Sequence, residues 1–134
     1  MTDFPYEANT DDMIVRVRPQ WLAEESNPSR NEYIWAYQVE IENTGATTWT
    51  LRRRHWQIID ANGHIQTVDG DGVVGKQPTL NTGEVFRYTS GVPLKTPSGI
   101  MRGHYEFEGE DGRRMQAEVP AFSLDSPYDR SQLS

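Results

Sequence analysis

The stretch that decides the fold class is NEYIWAYQVEIEN, residues 31–43. Its bulkiest side chains occupy every second position: Tyr33, Trp35, Tyr37, Val39 and Ile41. The positions between them end in the polar series Gln38, Glu40 and Glu42. A period of two with one apolar and one wetter face is typical of a half-buried β-strand. We therefore predict a strand here.

Similar segments lie on both sides of this strand. Residues 13–22, MIVRVRPQWL, predict a shorter strand that Pro19 interrupts or confines to a sheet edge. Residues 47–60 are followed by Asn62-Gly63 and then HIQTV, which indicates a hairpin. Residues 84–92, 99–108 and 113–124 predict the remaining strands, and GEDG at 109–112 predicts the turn between the last two. Seven strands without a sustained helical repeat predict an all-β fold, an antiparallel β-sandwich of about seven strands.

The two ends of the chain differ in character from this central part. Residues 1–12 and 125–134 are polar, rich in turn formers and without alternation. We expect both segments to be flexible or loosely docked. The sandwich domain is therefore expected to span residues 13–124.

Composition excludes several classes of protein. The 134 residues include no cysteine, so they offer no disulfide, thiolate metal site or cysteine nucleophile. The formal net charge of −7 argues against a general nucleic-acid binder. Because there is neither a secretory signal nor an apolar run of membrane-spanning length, we expect a cytoplasmic protein without membrane insertion. The basic cluster at 52–55, RRRH, is interpreted as a solvated strand face, with a local basic patch as the alternative.

Three glycines in the spacing G-x-G-x-x-G, Gly70, Gly72 and Gly75, resemble a nucleotide-binding turn. A dinucleotide cradle needs a helix to begin there, but Pro78 and Gly83 follow too soon, and Gln77 after Lys76 excludes a P-loop. Two interpretations remain. The glycines supply positive φ and close backbone approach, or the loop forms an anion-binding nest assisted by Lys76. Neighbouring aspartates oppose an anion, so we favour the structural interpretation.

The strand GIMRGHYEFE also carries candidate metal ligands. His104, Glu106 and Glu108 share one face, and imidazole with carboxylates is a donor set suited to Co²⁺ or, with water, Mg²⁺. Arg102 has the same parity, however, and such charge alternation is also typical of a solvated sheet face. We favour the solvated face and expect no cofactor.

Several longer motifs resemble the ApaG family. They are RHWQIIDANG at 54–63, GDGVVGKQP at 70–78, FRYTSG at 86–91, TPSGIMRGHYEF at 96–107 and VPAFSL at 119–124. The resemblance spans residues 13–124 and implies a fibronectin-type-III-like, immunoglobulin-like β-sandwich. Bacterial members carry a cobalt and magnesium efflux label, and related eukaryotic domains look like binding modules. A chain without a membrane span would contribute to efflux indirectly.

For function, these observations favour a non-catalytic interaction module over an enzyme. No nucleophile-elbow context or acid–base pair is marked by spacing. Trp21, Trp49 and Trp56 are candidates for partly exposed anchors, although core packing is the usual fate of tryptophan in such domains. We expect a protein partner and no nucleic acid, and homodimer formation stays open. The alternative function is phosphate, pyrophosphate or nucleotide binding or hydrolysis at the glycine loop.

Overall fold

The computed structural model describes residues 3–129, which form nine strands and one 3-10 helix, Pro28–Arg30. The strands are β1 (Tyr6–Thr10), β2 (Met13–Trp21), β3 (Tyr33–Asn43), β4 (Trp49–Asp60), β5 (Ile65–Asp71), β6 (Thr79–Leu80), β7 (Val85–Leu94), β8 (Gly99–Gly109) and β9 (Arg114–Leu124). Within these residues no helix has the length and hydrophobicity needed to cross a bilayer.

The strands form two sheets that pack face to face. One sheet has the order β1-β2-β3-β7, and the other has the order β5-β4-β8-β9, with β6 pairing to β4 beyond the end of β5. Every strand pair is antiparallel. The predicted all-β sandwich is confirmed, and it is consistent with an immunoglobulin-like or fibronectin-type-III-like fold.

The core lies between the inner faces of the two sheets. Strand β3 contributes the alternating set that its sequence predicts, from Tyr33 to Ile41. The opposing sheet contributes large side chains with almost no exposure: Leu51, Trp56, Met101, Tyr105 and Phe107. Full burial of one such aliphatic or aromatic side chain stabilises the folded state by about 1.5–3 kcal/mol, so this layer dominates the stability of the sandwich.

The turns predicted from glycine are also confirmed. In the β4–β5 hairpin Gly63 has φ +83°, and its N–H donates to the Asp60 carbonyl at 3.0 Å. In the β8–β9 hairpin Gly112 has φ +85°. Pro19 lies where β1 no longer pairs with β2, because that pairing ends at Val17. Its missing N–H therefore costs no ladder hydrogen bond on that side.

A β-bulge in β4 changes which side chains face the core. The register with β8 shifts between Leu51 and Arg53, so one extra residue stands on β4 at this point. After the bulge, Arg54 shares the inner face with Trp56, and His55 lies on the outer face. Strict alternation of inner and outer positions from Leu51 would instead place His55 on the inner face, so this shift cannot be predicted from alternation.

The sequence predicts a flexible or loosely docked segment at 1–12, but residues 6–10 within it form β1. The side chains of β1 cap the edge of β9. The Glu118 N–H donates to Thr10 Oγ1 at 3.0 Å, and the Ser123 N–H donates to the Tyr6 hydroxyl at 3.2 Å. Alternation was hidden because Ala8 and Thr10 are too small or polar to mark a buried face. The two-residue strand β6 was missed for its shortness.

Some of the first residues after β9 contact the sandwich. The Trp35 indole N–H donates to the Asp125 carbonyl at 2.7 Å. The Tyr128 ring lies 6.1 Å from Trp21 and 6.2 Å from Tyr33, between ring centroids. The part of the predicted tail at 130–134 lies outside the described residues.

Candidate functional site

The glycine loop is a tight turn between two strands. The Val73 N–H donates to the Lys76 carbonyl at 2.8 Å, and the Lys76 N–H donates to the Val73 carbonyl at 2.9 Å. The two residues between them, Val74 and Gly75, have φ +44° and +79°. Positive φ at both positions is typical of the mirror-image turns that join antiparallel strands. The chain then continues to β6, so no helix begins after Gly75.

Gly70 and Gly72 permit close approach of other groups. A Cβ on Gly70 would lie 2.8 Å from Arg54 Nη1, and a Cβ on Gly72 would lie 2.2 Å from the Lys76 carbonyl oxygen. Arg54 Nη1 donates to the carbonyls of Asp71 at 3.0 Å and Gly72 at 2.9 Å. The inward-facing arginine therefore holds the loop against the sandwich. Sequence reasoning missed this role because the bulge that turns Arg54 inward leaves no sequence signal.

An anion nest at this loop would lack several of its donors. The N–H groups of Val73 and Lys76 bond within the turn, and the Gly72 N–H donates to the Arg52 carbonyl at 2.9 Å. Asp71 stays beside the loop as an ion pair with Arg53 at 2.7 Å. The geometry therefore favours the structural interpretation of the glycines.

The candidate metal ligands are not brought together as a ligand set. His104 stacks on His55, with ring centroids 5.0 Å apart, and its Nε2 lies 3.8 Å from Glu106 Oε2. Glu108 instead accepts from Arg52 Nε at 3.0 Å. No three His, Asp or Glu side chains between residues 3 and 129 are placed to hold a metal ion.

The outer face of β4 is a solvated, ion-paired surface rather than a free basic patch. Arg52 and Arg53 have carboxylate partners, and His55 Nδ1 lies 2.7 Å from Asp69 Oδ1. This hydrogen bond is the main cause that holds the pKa of Asp69 below its usual range.

Two of the three candidate tryptophan anchors belong to the core. Trp49 and Trp56 are 9% and 3% exposed, so they do not offer a binding surface. Trp21 is half-buried against Trp35, with ring centroids 5.3 Å apart.

The two edge strands of the second sheet, β9 and β5, differ in whether their free edges are covered. On one side β1 caps β9 through Tyr6 and Thr10. On the other side β5 pairs with β4 alone among the described strands, so its second edge is open. The N-terminal half of that edge, residues 65–68 with the sequence IQTV, contains no charge, proline or glycine. Native sheets usually protect such edges with charged residues or proline, among other features.

An apolar cleft of about 840 Å³ lies beside this open edge. It is formed by the start of β3, the end of β7 and the β4–β5 hairpin. The apolar residues that line it are Ile34, Ile58, Ile65, Pro93 and Leu94. The other lining residues are polar or charged, so the cleft offers both apolar and polar contacts, as binding sites do.

A row of isoleucines continues the cleft onto the outer face of the second sheet. Ile59 is the register partner of Ile65 on one side and of Ile100 on the other. Ile65 and Ile100 are 59% and 47% exposed. The row ends at the open edge of β5, where Ile65 also lines the cleft.

Charged groups on the rim of the cleft are unevenly paired. Asp60 accepts from the N–H groups of Asn62 and His64, at 2.9 and 3.0 Å, and its carboxylate lies 3.4 Å from the His64 ring nitrogen. Burial raises the pKa of Asp60, but these hydrogen bonds outweigh it and the net shift is downward. Arg30 and Lys95 line the same cleft without a carboxylate partner among the described residues.

No motif signalled the cleft, because its walls come from segments that are distant in sequence. The available sequence signal was the uncharged stretch IQTV at 65–68 after a hairpin turn, which by itself predicts only a strand.

Comparison with known proteins agrees with this architecture. Residues 23–109 match the ApaG domain family model. The chain is 51% identical over 129 residues to Protein ApaG of Paramagnetospirillum magneticum, covering 96% of this chain and 99% of the relative. It is 50% identical over 129 residues to Protein ApaG of Brucella abortus, with the same coverage. A crystal structure named as an ApaA protein of Bordetella pertussis superposes with a TM-score of 0.84 at 45% identity, covering 88% of this chain and 96% of that chain. The chain therefore belongs to the ApaG family.

Proposed function

We propose that the protein is a non-catalytic, cytoplasmic module that binds a protein partner at the open side of its sandwich. The observation that supports this proposal is the uncharged edge at residues 65–68, with exposed Ile65, beside a cleft that has apolar residues in its lining. Sheet edges and exposed apolar patches are the surfaces through which such domains bind proteins.

The titration behaviour of the acidic side chains supports a role without catalysis. The pKa values of Glu40, Asp60, Asp69 and Asp111 are all lowered. Burial raises the pKa at Glu40 and Asp60, but hydrogen bonds from neighbouring donors outweigh it there and lower the pKa. A lowered pKa keeps these four carboxyl groups ionised at neutral pH, so none of the four is suited to act as a general acid.

The association of this family with Co²⁺ and Mg²⁺ efflux is, in this proposal, indirect. His104, Glu106 and Glu108 are engaged with other side chains, and this favours an effect on ions through a bound protein. The partner, rather than this domain, then handles the ion.

Affinity capture from the native cells tests the proposal. The baits are the unaltered chain, Ile65→Lys and, as the matched control, Ile100→Lys. Both isoleucines belong to the same exposed row, but Ile100 lies two strands away from the open edge. We expect a stoichiometric protein with the unaltered chain and Ile100→Lys, and its loss with Ile65→Lys. Equal capture by all three baits, or no stoichiometric protein, would contradict the proposal.

Growth on cobalt tests the indirect link to ions. We expect a deletion strain to change its cobalt sensitivity, with recovery by the unaltered gene and by Ile100→Lys. Ile65→Lys should not restore growth although it is produced at the same level. Full recovery by Ile65→Lys would separate ion resistance from the open edge.

A further inference from the structure

We infer that Asn62, in the turn between β4 and β5, is a site of spontaneous covalent modification. Its side-chain amide leaves as ammonia, and the residue becomes isoaspartate or aspartate at the edge of the cleft. Water is the single co-reactant. This inference goes beyond the proposed function, because it does not depend on what the cleft binds.

Asn62 stands in the only asparagine–glycine step of the chain. The reaction begins when the main-chain nitrogen of the following residue attacks the side-chain carbonyl carbon, and glycine leaves this nitrogen unhindered because it has no Cβ. Every other asparagine precedes threonine or glutamate, whose side chains hinder the attack, or proline, which has no N–H group. These slower positions are Asn9, Asn27, Asn31, Asn43 and Asn81.

The structure leaves the side-chain amide of Asn62 accessible. Asn62 and Gly63 are both exposed, and a Cβ on Gly63 would meet no atom within 4 Å. Between residues 3 and 129 no group hydrogen-bonds to the Asn62 side chain, whose main-chain N–H alone is bonded, to Asp60 Oδ1 at 2.9 Å. The carbonyl carbon that is attacked is therefore neither covered nor held away.

The Gly63 nitrogen is the one reacting group that the native turn restrains. Its N–H donates to the Asp60 carbonyl at 3.0 Å, so the turn opens before the nitrogen attacks. Among the described strands β5 pairs with β4 alone, and opening this end of the hairpin therefore disturbs few contacts. We expect Asn62 to react more slowly in the folded chain than in the unfolded chain, and faster than any other asparagine in either state.

Three aspartate–glycine steps offer the same ring closure, but the structure protects them. Closure at aspartate needs a protonated carboxyl group, because water is the group that leaves. A hydrogen bond with a histidine holds the pKa of Asp69 below its usual range, and hydrogen bonds from Arg113 do the same for Asp111. Asp71 pairs with Arg53 at 2.7 Å. Asn62 needs no such protonation, so the modification is confined to it.

The reaction consumes one water molecule and releases one ammonia molecule. The Gly63 nitrogen loses its proton and bonds to the side-chain carbonyl carbon of Asn62. The bond from that carbon to the amide nitrogen breaks, and this nitrogen takes up a proton and leaves as ammonia. Water then opens the cyclic imide. Opening at the side-chain carbonyl gives aspartate, whereas opening at the main-chain carbonyl gives isoaspartate, whose main chain runs through the former side chain.

Both products weaken the turn that holds the start of β5. A carboxylate appears two residues after Asp60, whose own carboxylate accepts from the N–H groups of residues 62 and 64 at 2.9 and 3.0 Å. Like charges so close repel each other. Isoaspartate also adds one carbon to the main chain between Asp60 and Gly63, whose hydrogen bond is fitted to the normal length. Ile65, which follows the turn and lines the cleft, is then held less firmly.

Ageing of the purified full chain in mildly alkaline buffer tests the site. Peptide mapping by mass spectrometry should show conversion of amide to acid at Asn62 at least about tenfold faster than at any other asparagine. Isoaspartate methyltransferase should label the aged chain. The matched control is Asn62→Gln, because the longer glutamine side chain closes its ring much more slowly, and its labelling should stay at background.

Hydrogen exchange of the same samples tests the effect on β5. The main-chain amides of residues 65–68 should exchange faster in the aged unaltered chain than in the fresh chain, and at equal rates in aged and fresh Asn62→Gln. Conversion at another asparagine as fast as at Asn62, or equal labelling of the Asn62→Gln variant, would overturn the assignment of the site. Conversion no slower in the folded chain than in urea would overturn the restraint assigned to the turn, and unchanged exchange after full conversion would overturn the effect on β5.

Discussion

The three glycines of the loop should respond very differently to the same Gly→Ala change. For Gly75, φ is +79° and an added methyl would meet no atom within 4 Å. The cost is therefore the backbone strain alone, about 1–2 kcal/mol.

Gly72→Ala should be the most damaging change. Its φ of +63° carries similar strain, and the new Cβ would lie 2.2 Å from the Lys76 carbonyl oxygen. That oxygen accepts from the Val73 N–H, so relieving the clash opens the turn and breaks its reciprocal pair of hydrogen bonds. With about 1 kcal/mol for each bond added to the strain, we expect a loss of about 3–4 kcal/mol.

Gly70→Ala should act through Arg54. The new Cβ would lie 2.8 Å from the flexible guanidinium rather than from backbone, and φ is not positive. Arg54 would move away and lose its bonds to the carbonyls of Asp71 and Gly72. Because the site is partly exposed, we expect about 1–2 kcal/mol for both bonds together.

Urea unfolding followed by tryptophan fluorescence measures these differences, and a double-mutant cycle identifies their cause. In an Arg54→Ala background, Gly70→Ala should cost almost nothing, because the group that it displaces is gone. Val74→Asn, in the same turn, should raise the free energy of unfolding instead of lowering it. Val74 has φ +44°, a region that asparagine tolerates better than valine, so we expect a gain of about 1 kcal/mol. Additive effects of Gly70→Ala and Arg54→Ala, or a larger loss for Gly75→Ala than for Gly72→Ala, would refute this reasoning.

Two buried polar groups give further predictions. Glu40 is 8% exposed; burial raises its pKa, but hydrogen bonds from Arg87 and Arg16 outweigh burial and lower it. The stability that the ionised Glu40 carboxylate contributes is therefore fully present above the ordinary glutamate pKa, about 4.3. It is lost as the pH falls through the lower pKa that Glu40 has in the folded state. Glu40→Gln should cost about 2 kcal/mol at neutral pH and flatten the acid unfolding curve followed by circular dichroism. Tyr105→Phe leaves the buried Tyr88 hydroxyl without its hydrogen-bond partner, which lies at 2.5 Å. Urea unfolding should show a loss of about 1–3 kcal/mol in the free energy of unfolding. Adding Tyr88→Phe to this variant should cause no further loss of that size, because the hydrogen bond is already gone.

The strands with strong side-chain contrast could be predicted from sequence. In β3 the bulky aromatic residues Tyr33, Trp35 and Tyr37 alternate with smaller or polar neighbours, and burial follows that pattern. Gly63 and Gly112 could be predicted as turn positions because positive φ is costly for other residues. That no helix begins after Gly75 could also be predicted, since Pro78 and Gly83 leave too few residues for one, and the chain continues to β6 instead.

The rest depended on contacts that sequence periodicity does not encode. Strand β1 is held by Tyr6 and Thr10 through hydrogen bonds to a strand more than a hundred residues later. The bulge turns Arg54 inward without changing the appearance of the basic cluster. The cleft arises because stacking of the two sheets brings Ile34 and Leu94 close to the β4–β5 hairpin.

The capping of β9 by Tyr6 and Thr10 limits how the molecule can assemble. Growth of a continuous β-ribbon requires every subunit to offer two borders, one for the preceding neighbour and one for the next. In residues 3–129, the second sheet has one border closed by side chains and the other available at residues 65–68. A ladder that began at residues 65–68 would therefore end with the first molecule added, and this arrangement opposes growth into a fibre.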